Sequence, residues 1–258
     1  MLGAAIGDIV GSRFEFDNHR STDFELFHPD CSFTDDTICT AAVADWIIRG
    51  CNPDLAQIMQ AWCRRYPKPK GSYGSMFKSW IRQPYPQPYN SWGNGSAMRV
   101  SAVGWAFDTL EETLLRAQQS AEITHNHPEG IKGAQAVAAA IFWARTGKSK
   151  DFIRQEIRSR FGYALDQNCD DIRPVNTFDV SCMKTVPDAL AAFFDSENFE
   201  HAVRLAVSIG GDTDTIAAIT GSIAEAFYGG VPEHIAQQAL DILPYNIAAS
   251  LLAIGTTR

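Results

Sequence analysis

The chain has 258 residues, of which 45% are hydrophobic and 20% are charged, so it can bury a core without disulfide or metal staples. Its 22 basic and 30 acidic residues give a formal net charge of -8, and no cluster of lysines and arginines stands out. These features argue against a nucleic-acid-binding groove, which relies on basic residues to meet phosphates.

Charges and glycines interrupt every apolar stretch well before the roughly 18 residues that a membrane span needs. The N-terminus lacks a basic region, and Asp8 breaks its short apolar run, so no ordinary secretory signal is predicted. We therefore expect a cytoplasmic protein with no membrane partner. Its cysteines show no zinc-like spacing and are expected to be reduced thiols: Cys31, Cys39, Cys51, Cys63, Cys169 and Cys182.

Apolar residues recur with a helical period along most of the chain, while alternating strand-type runs are scarce. This pattern predicts an all-α fold. Helices are expected near residues 2–12, 36–49, 53–65, 96–107, 112–124, 149–160, 185–194, 199–208, 232–241 and 245–254, with two further apolar stripes over 134–142 and 216–227. The only plausible extended piece is 173–180, and Pro174 argues against a strand there.

Two proline-bearing segments, 66–69 and 83–89, predict loops between helices, because proline cannot continue a helix interior. No repeat of fixed period appears, and no change in composition marks a linker. We therefore predict a single domain over residues 1–258.

A first acidic cluster, Thr34-Asp35-Asp36-Thr37, lies directly before an apolar helical segment. Threonine and aspartate oxygens can cap a helix start by accepting its free N–H groups. Capping accounts well for one acidic residue and poorly for two adjacent ones. A second role for this cluster is therefore indicated.

A second cluster, Asp212-Thr213-Asp214-Thr215, follows Gly210 and Gly211 at another predicted helix start. Residues two apart point to nearly opposite sides of a regular helix, so these carboxylates can converge only at a non-helical entry turn. The paired glycines permit such a turn, because glycine tolerates positive φ.

The two clusters are about 180 residues apart in sequence but chemically alike. If the fold brings them together, four carboxylates crowd a small volume and raise one another's pKa. Divalent cations would resolve this conflict, and all-oxygen ligands suit Mg²⁺ or Mn²⁺ better than zinc. Four carboxylates and two hydroxyls are enough for two ions that share ligands or waters.

Two short glycine loops, 70–75 and 93–96, precede helical segments. Such loops are most often plain turns, but glycine also lets backbone N–H groups approach a phosphate. Two of them in a chain with a candidate dimetal site favour a diphosphate ligand. Neither matches a P-loop or a dinucleotide fingerprint, and the βαβ context of those motifs is missing.

Gly3, Gly7 and Gly11 recur every four residues in the first predicted helix, and for Gly3 and Gly11 a close helix–helix contact is the better interpretation. Asp8, in the same apolar segment, needs a partner if it is buried and is predicted to line or support the site. Glu15 follows one turn beyond, where a surface position is equally plausible from spacing alone.

The pair His125 and His127 stands at the start of an alanine-rich helix. Histidines in this position are more often caps or satisfied buried polar groups than metal ligands. One of the two could instead contact a ligand.

Taken together in chain order, these residues resemble the ADP-ribosylglycohydrolase family. Each motif alone is weak, but their common order from residue 3 to about 228 is specific. The resemblance rests on Gly7-Asp8-x-x-Gly11 with Glu15, Thr34-Asp35-Asp36-Thr37, Gly71-x-Tyr73-Gly74, Gly93-Asn94-Gly95-Ser96-Ala97-Met98-Arg99, Thr124-His125-x-His127-Pro128 and Gly210-Gly211-Asp212-Thr213-Asp214-Thr215.

The resemblance implies a compact all-α fold with a two-Mg²⁺ centre in a cleft, where Mn²⁺ could substitute. The family's metal ligands fall on Thr34, Asp35, Asp36, Asp212, Asp214 and Thr215. Its acidic residue after the first helix falls on Glu15, so the candidates for proton transfer are Asp35, Asp36 and Glu15. Substrate contacts are expected at Gly71, Gly74, Asn94, Gly95, Ser96 and His125, with Asp8 beside them. Met98 and Arg99 are expected only to support their loop.

The implied reaction is hydrolysis of the bond between ADP-ribose and an acceptor, which is an ADP-ribosylated protein side chain, arginine foremost, or a small molecule. Two alternatives remain open: a Mg²⁺-dependent phosphohydrolase that attacks a nucleotide diphosphate, and a non-catalytic ADP-ribose-binding or structural protein on the same fold. Residues 163–182 carry no motif that would identify the acceptor.

Overall fold

The regular secondary structure of the described part of the chain is helical. The computed structural model describes residues 1–52 and 54–254, and within them only two isolated β-bridges occur, Thr34 with Lys70 and Gly93 with Ser181. The predicted all-α fold is therefore confirmed. The helices are α1 (Gly3–Gly11), α2 (Asp35–Ile48), α3 (Leu55–Arg65), α4 (Ser75–Arg82), α5 (Gly95–Met98), α6 (Ser101–Ala106), α7 (Leu110–Glu122), α8 (Pro128–Arg145), α9 (Lys150–Phe161), α10 (Cys169–Ile172), α11 (Cys182–Asp195), α12 (Phe199–Ser208), α13 (Thr213–Tyr228), α14 (Glu233–Ile242) and α15 (Tyr245–Ala253).

Most predicted helices lie within a few residues of the observed ones. The helix predicted over 96–107 is two helices, because Arg99 and Val100 interrupt it between α5 and α6. The segment 173–180 forms no strand. Residue 53, where one helix was predicted to begin, and the last four residues of the predicted domain lie outside the described residues.

Two short helices, α4 and α10, do not appear among the predictions. The apolar face of α4 is Phe77, Trp80 and Ile81, which has helical spacing but spans little more than one turn. Helix α10 has four residues and is held by a capping box, in which Asn168 and Asp171 each accept a backbone N–H bond of the other. Both signals are too short to stand out from the neighbouring loops.

Helix α13 runs through the centre of the molecule and is buried at every residue from its start to Ala226. It packs against α1, α8, α11 and α12. The buried apolar side chains of these helices belong to one continuous core. The start of α13, which carries the second acidic cluster, is thus fixed by the core itself.

Helix α1 lies against α13 at backbone contact distance along its glycine face. A Cβ atom at Gly7 would meet the Ala217 carbonyl oxygen at 1.9 Å, and one at Gly11 would meet the Thr213 carbonyl oxygen at 2.4 Å. Gly3 abuts the Gly221 carbonyl in the same way. The close helix–helix contact expected for Gly3 and Gly11 is confirmed, and Gly7 makes the same kind of contact.

None of the described helices is both long and apolar enough to cross a membrane. The six cysteines are free thiols in the structure, and five of them are buried.

The substitution Gly7→Ala is expected to lower the free energy of unfolding by about 3 kcal/mol, because overpacking a backbone contact forces α1 away from α13. Urea unfolding followed by circular dichroism measures this change. Gly74→Ala is the matched control, since Gly74 has φ −54 and nothing lies within 4 Å of the position that a Cβ atom would take there. Equal stability of the two variants would contradict the close packing of α1 on α13.

Candidate metal centre and substrate cleft

Asp8 of α1 holds the start of α2 through both carboxylate oxygens. Its Oδ2 accepts bonds from the backbone N–H groups of Thr34 at 2.9 Å and Thr37 at 3.1 Å. The hydroxyls of the same two threonines donate to Asp8 at 2.7 and 2.5 Å. Thr34 also caps α2 by accepting from the Asp36 N–H at 3.2 Å. Because Thr34 provides the cap, Asp35 and Asp36 are left free for another role.

The second acidic cluster begins at the predicted glycine turn. Gly210 and Gly211 both have positive φ, 71 and 84, which only glycine adopts readily. The hydroxyl of Thr213 then donates to the Gly11 carbonyl at 3.0 Å, which joins the turn to the end of α1. Asp214 is fixed by its own backbone, since its Oδ1 accepts from the Thr215 N–H at 2.9 Å.

Both clusters face one cleft of about 400 Å³. Ligand oxygens of Glu15, Asp212 and Asp214 lie within 4.8 Å of one another, so Glu15 belongs to the acidic centre. Asp35, Asp36 and Thr215 line the same cleft. The long-range meeting on which the sequence interpretation depends is therefore present.

Burial and the neighbouring negative charges raise the pKa values of the carboxylates in this centre. Burial, followed by the charge of Asp212, raises the pKa of Glu15 from 4.5 to about 7. Burial and then the charge of Asp8 raise the pKa values of Asp35 and Asp36 well above their usual range. Burial and then Asp212 do the same for Asp214. Ionising all of them together requires positive charge in the cleft.

The donor set suits hard divalent cations. All the side chains that meet here offer oxygen, and two buried carboxylate atoms, Glu15 Oε2 and Asp36 Oδ1, have no hydrogen-bond partner. Buried carboxylate oxygens without donors are costly unless a cation or water occupies the space before them. Mg²⁺ and Mn²⁺ prefer oxygen ligands of this kind. The residues present therefore fit a metal centre.

The loop around residues 71–74 forms one wall of the cleft beside Glu15. Gly71 has φ 73, and a Cβ there would meet Glu15 Oε2 at 2.7 Å. A Cβ at Gly74 would project into open space. Glycine at position 71 thus lets the acidic centre and the loop approach each other, and glycine at 74 leaves the cleft wide.

The loop around residues 93–95 forms another wall and touches the acidic centre directly. The Asn94 side-chain amide donates to Asp212 Oδ2 at 2.7 Å and to the Thr185 hydroxyl at 3.0 Å. A Cβ at Gly95 would meet His125 Nε2 at 2.9 Å. In this structure Asn94 orients a carboxylate, and Gly95 makes room for the histidine.

Three predicted site residues lie behind the cleft wall. Asp8 and Thr34 are fully buried and bonded to each other. Ser96 is fully buried, and its hydroxyl donates to the Gly130 carbonyl at 2.7 Å. Asp8 thus has the supporting position that was one of its two predicted roles. The hydroxyls of Thr34 and Ser96 are also bonded to other protein groups, so these two residues are placed to support the wall rather than to contact a metal ion or substrate directly. The other predicted residues line the cleft: Glu15, Asp35, Asp36, Gly71, Gly74, Asn94, Gly95, His125, Asp212, Asp214 and Thr215.

Several residues that line the cleft were not predicted to do so from the sequence. Arg99 and Met98, expected only to support their loop, line the cleft as well. Phe178 and Val180 do so from the segment in which no motif was found, and both are about half exposed. Apolar residues in an irregular, otherwise polar stretch were the available signal. The remaining lining residues are Ser72, Tyr73, Ser75, Met76, Phe77, Tyr89, Ser91 and Gly93.

The second histidine of the pair is a helix cap. His127 Nδ1 accepts from the Glu129 N–H at 3.1 Å at the start of α8. Its ring packs edge-on against Trp92 at 5.7 Å. Of the two histidines, only His125 lines the cleft.

An all-α fold in which two acidic helix starts converge on a glycine-walled cleft is consistent with a hydrolase. The family model described as ADP-ribosylglycohydrolase matches residues 1–255. The chain belongs to this family, as the motif order indicated.

Curated relatives and a solved structure agree with this assignment. Human ADP-ribosylhydrolase ARH3 is 25% identical over 313 residues, which cover 90% of this chain and 86% of ARH3. ADP-ribosylarginine hydrolase Tri1 of Pseudomonas putida (strain GB-1) is 26% identical over 264 residues, 90% of this chain and 71% of Tri1. A structure titled ADP-ribosylglycohydrolase-related protein complex has the same fold, with a TM-score of 0.76, 24% identity and coverage of 98% of this chain and 93% of its own.

The metal-free protein is expected to lose stability as the pH rises from about 4.5 to about 7, the range over which Glu15 ionises in the unfolded chain but not in the folded one. In that range Glu15 keeps its proton in the folded state and loses it in the unfolded state, so its contribution to the free energy of unfolding falls as the pH rises, whereas the lowered pKa of His125 contributes with the opposite sign. Urea unfolding in EDTA at several pH values measures the slope.

Glu15→Gln is the matched variant for this experiment and should flatten the slope, because it removes one titrating group. Saturating Mg²⁺ should also flatten it, since cations favour the ionised carboxylates. A metal-free stability that rises through this pH range, with Glu15→Gln unchanged from wild type, would contradict the electrostatic description of the centre.

Proposed function

We propose that the protein hydrolyses the glycosidic bond between C1 of the ADP-ribose ribose and an acceptor, releasing ADP-ribose. Membership of the ADP-ribosylglycohydrolase family supports a hydrolase of this class. The observation that carries the proposal is the meeting of Glu15, Asp212 and Asp214 in a cleft that Asp35 and Asp36 also line. We treat residues 1–258 as one catalytic domain.

The centre would hold two divalent cations, Mg²⁺ foremost and Mn²⁺ as a substitute. Ligands would come from Asp35, Asp36, Asp212, Asp214 and Thr215, with Glu15 beside them, while Thr34 would support the centre from behind the wall through its bond to Asp8. Bound cations would supply Lewis acidity toward the ribose hydroxyls and the attacking water. The unpartnered oxygens of Glu15 and Asp36 support this arrangement.

The protein's own residues position the sugar and move the proton. Positive charge develops on the ribose as the bond to the acceptor breaks, and the carboxylates that line the cleft stabilise that charge. Glu15, Asp35 and Asp36 are the candidates to take the proton of the attacking water, and Glu15 and Asp36 each keep a buried carboxylate oxygen without a donor. The loops at 71–74 and 93–95 hold the diphosphate side, and His125, which packs beside the second loop, contacts the ligand.

Arginine is the proposed acceptor within an ADP-ribosylated protein. The similarity to Tri1, named an ADP-ribosylarginine hydrolase, supports this choice. The net charge of -8 favours encounter with a basic target. We place the reaction in the cytoplasm, which is consistent with the free thiols.

The variants Asp35→Asn and Asp214→Asn are expected to lower turnover at least about 100-fold, because each removes a charged ligand oxygen from the centre. Their helical circular dichroism should stay close to wild type. Asp151→Asn, an exposed aspartate in the first turn of α9, is the control and should keep full activity. Full turnover in either centre variant would remove the proposed metal assignment.

A substrate panel tests the proposed reaction itself. Arginine-, serine- and acetyl-linked ADP-ribose are each incubated with Mg²⁺ or with EDTA, and the products are identified by mass spectrometry. We expect intact ADP-ribose, fastest from the arginine linkage, only with Mg²⁺. Release of AMP would instead indicate a phosphohydrolase, and no release from any member would favour the binding-protein alternative.

A further inference from the structure

A buried chain of polar groups leads from Arg99 to His125, beneath the wall formed by residues 93–95. Arg99 Nη2 donates to the Ser120 carbonyl at 2.7 Å and to the Thr124 hydroxyl at 2.8 Å. The Thr124 hydroxyl in turn lies 2.7 Å from His125 Nδ1. Arg99 and Thr124 are almost fully buried, so water does not compete for these bonds.

The direction of the last bond follows from the number of available protons. A guanidinium only donates, so the Thr124 oxygen accepts from Arg99 and keeps its single proton to give. Among the described residues, His125 Nδ1 is the acceptor that this hydroxyl reaches. The bond therefore runs from Thr124 to Nδ1, which leaves the ring proton on Nε2 of a neutral His125.

The surroundings of His125 keep the ring neutral. Burial and then the charge of Arg99 lower its pKa well below the usual value. Among the described residues no carboxylate pairs with the Arg99 guanidinium, so its charge acts on the ring without a counter-ion. The other titratable side chain packed on the ring is Tyr89, with ring centroids 5.9 Å apart. Burial raises the pKa of Tyr89 to about 12, so it carries no charge at neutral pH.

The free edge of the ring faces the cleft. His125 Nε2 occupies the space that side chains at Gly95 and Gly93 would fill, at 2.9 and 3.5 Å from their ideal Cβ positions. His125 also lines the cleft wall. A proton on Nε2 is thus presented to a ligand in the cleft, on the side of the glycine loop.

We propose that Arg99 and Thr124 are positioning residues that fix His125 as the Nε2–H tautomer, a neutral donor for an oxygen atom of the bound ADP-ribose unit. A neutral donor binds an oxygen at any working pH without adding charge to the cleft. The tautomer part of this proposal concerns the protein alone, and only the ligand part rests on the proposed function.

The tautomer is measured by nitrogen-15 NMR of ring-labelled protein, without metal or ligand. We expect a His125 signal with proton-bearing Nε2 and bare Nδ1 in the wild type. Thr124→Val, which keeps the shape but loses the hydroxyl, should abolish this fixed preference, and Thr124→Ser should retain it. A wild-type His125 with the proton on Nδ1, or an unchanged signal in Thr124→Val, would overturn the proposal.

Affinity for ADP-ribose, measured by isothermal titration calorimetry with Mg²⁺, tests the ligand part. Loss of one oriented hydrogen bond in Thr124→Val should weaken binding roughly tenfold. Thr113→Val is the matched control, because Thr113 is a fully buried threonine whose hydroxyl donates to the carbonyl of Thr109, the N-cap of α7, at 2.8 Å. It should lose stability but keep wild-type affinity.

These two measurements separate the possible failures. If wild-type protein does not bind ADP-ribose but shows the Nε2–H tautomer, and Thr124→Val loses it, the proposed function fails and the positioning role of Thr124 stands. If wild-type protein binds ADP-ribose and Thr124→Val binds equally well, the ligand part of the inference is wrong. An equal loss of affinity in Thr113→Val would also overturn it, since the effect would then be one of general stability.

Discussion

The site depends on one short helix, α1, which contacts both acidic clusters. Its glycine face meets the backbone of α13, and Gly7 has no room for even one methyl group. Asp8, the next residue, accepts hydrogen bonds through both carboxylate oxygens from the threonines at the start of α2. The same nine-residue helix therefore fixes the starts of α2 and α13 relative to each other. Two turns that are distant in sequence become the two sides of one cleft.

This arrangement concentrates negative charge where the core prevents relaxation. The carboxylates cannot move apart, because α13 is buried along nearly its whole length and α2 is held at its first turn. Raised pKa values and unpartnered oxygens are the consequences. A cation bound there, as proposed, would neutralise these carboxylates, and the electrostatic cost of the metal-free centre would add to the affinity for metal. On the far wall, buried Arg99 supplies the opposite charge, below the loop proposed to meet the diphosphate.

Local chemistry explains what the sequence could predict. The helical period, the Thr34 cap and the Gly210–Gly211 turn are each set by neighbouring residues, and all three are found where expected. A close contact of α1 with another helix was also predictable, because repeated glycines in a helix usually mark such a contact. That the partner is α13 follows only from the structure.

Contacts across the fold explain what the sequence could not predict. That Asn94 would orient Asp212, or that Ser96 would bond to the Gly130 carbonyl behind the wall, depends on partners 118 and 34 residues away. Gly95 was interpreted as part of a phosphate-binding loop. In the structure, the absence of a side chain at this position leaves space for the His125 ring. Short motifs thus located the cleft, while the role of each residue within it followed from its neighbours in space.

Anomalous diffraction from crystals soaked in Mn²⁺ tests most directly whether the two acidic turns share bound cations. If the two turns share cations, manganese peaks are expected at the carboxylates of Asp36, Asp214 and Glu15. These peaks should be lost in Asp214→Asn crystals. A well-ordered cleft without manganese at saturating concentration, or peaks confined to exposed surface carboxylates, would contradict it.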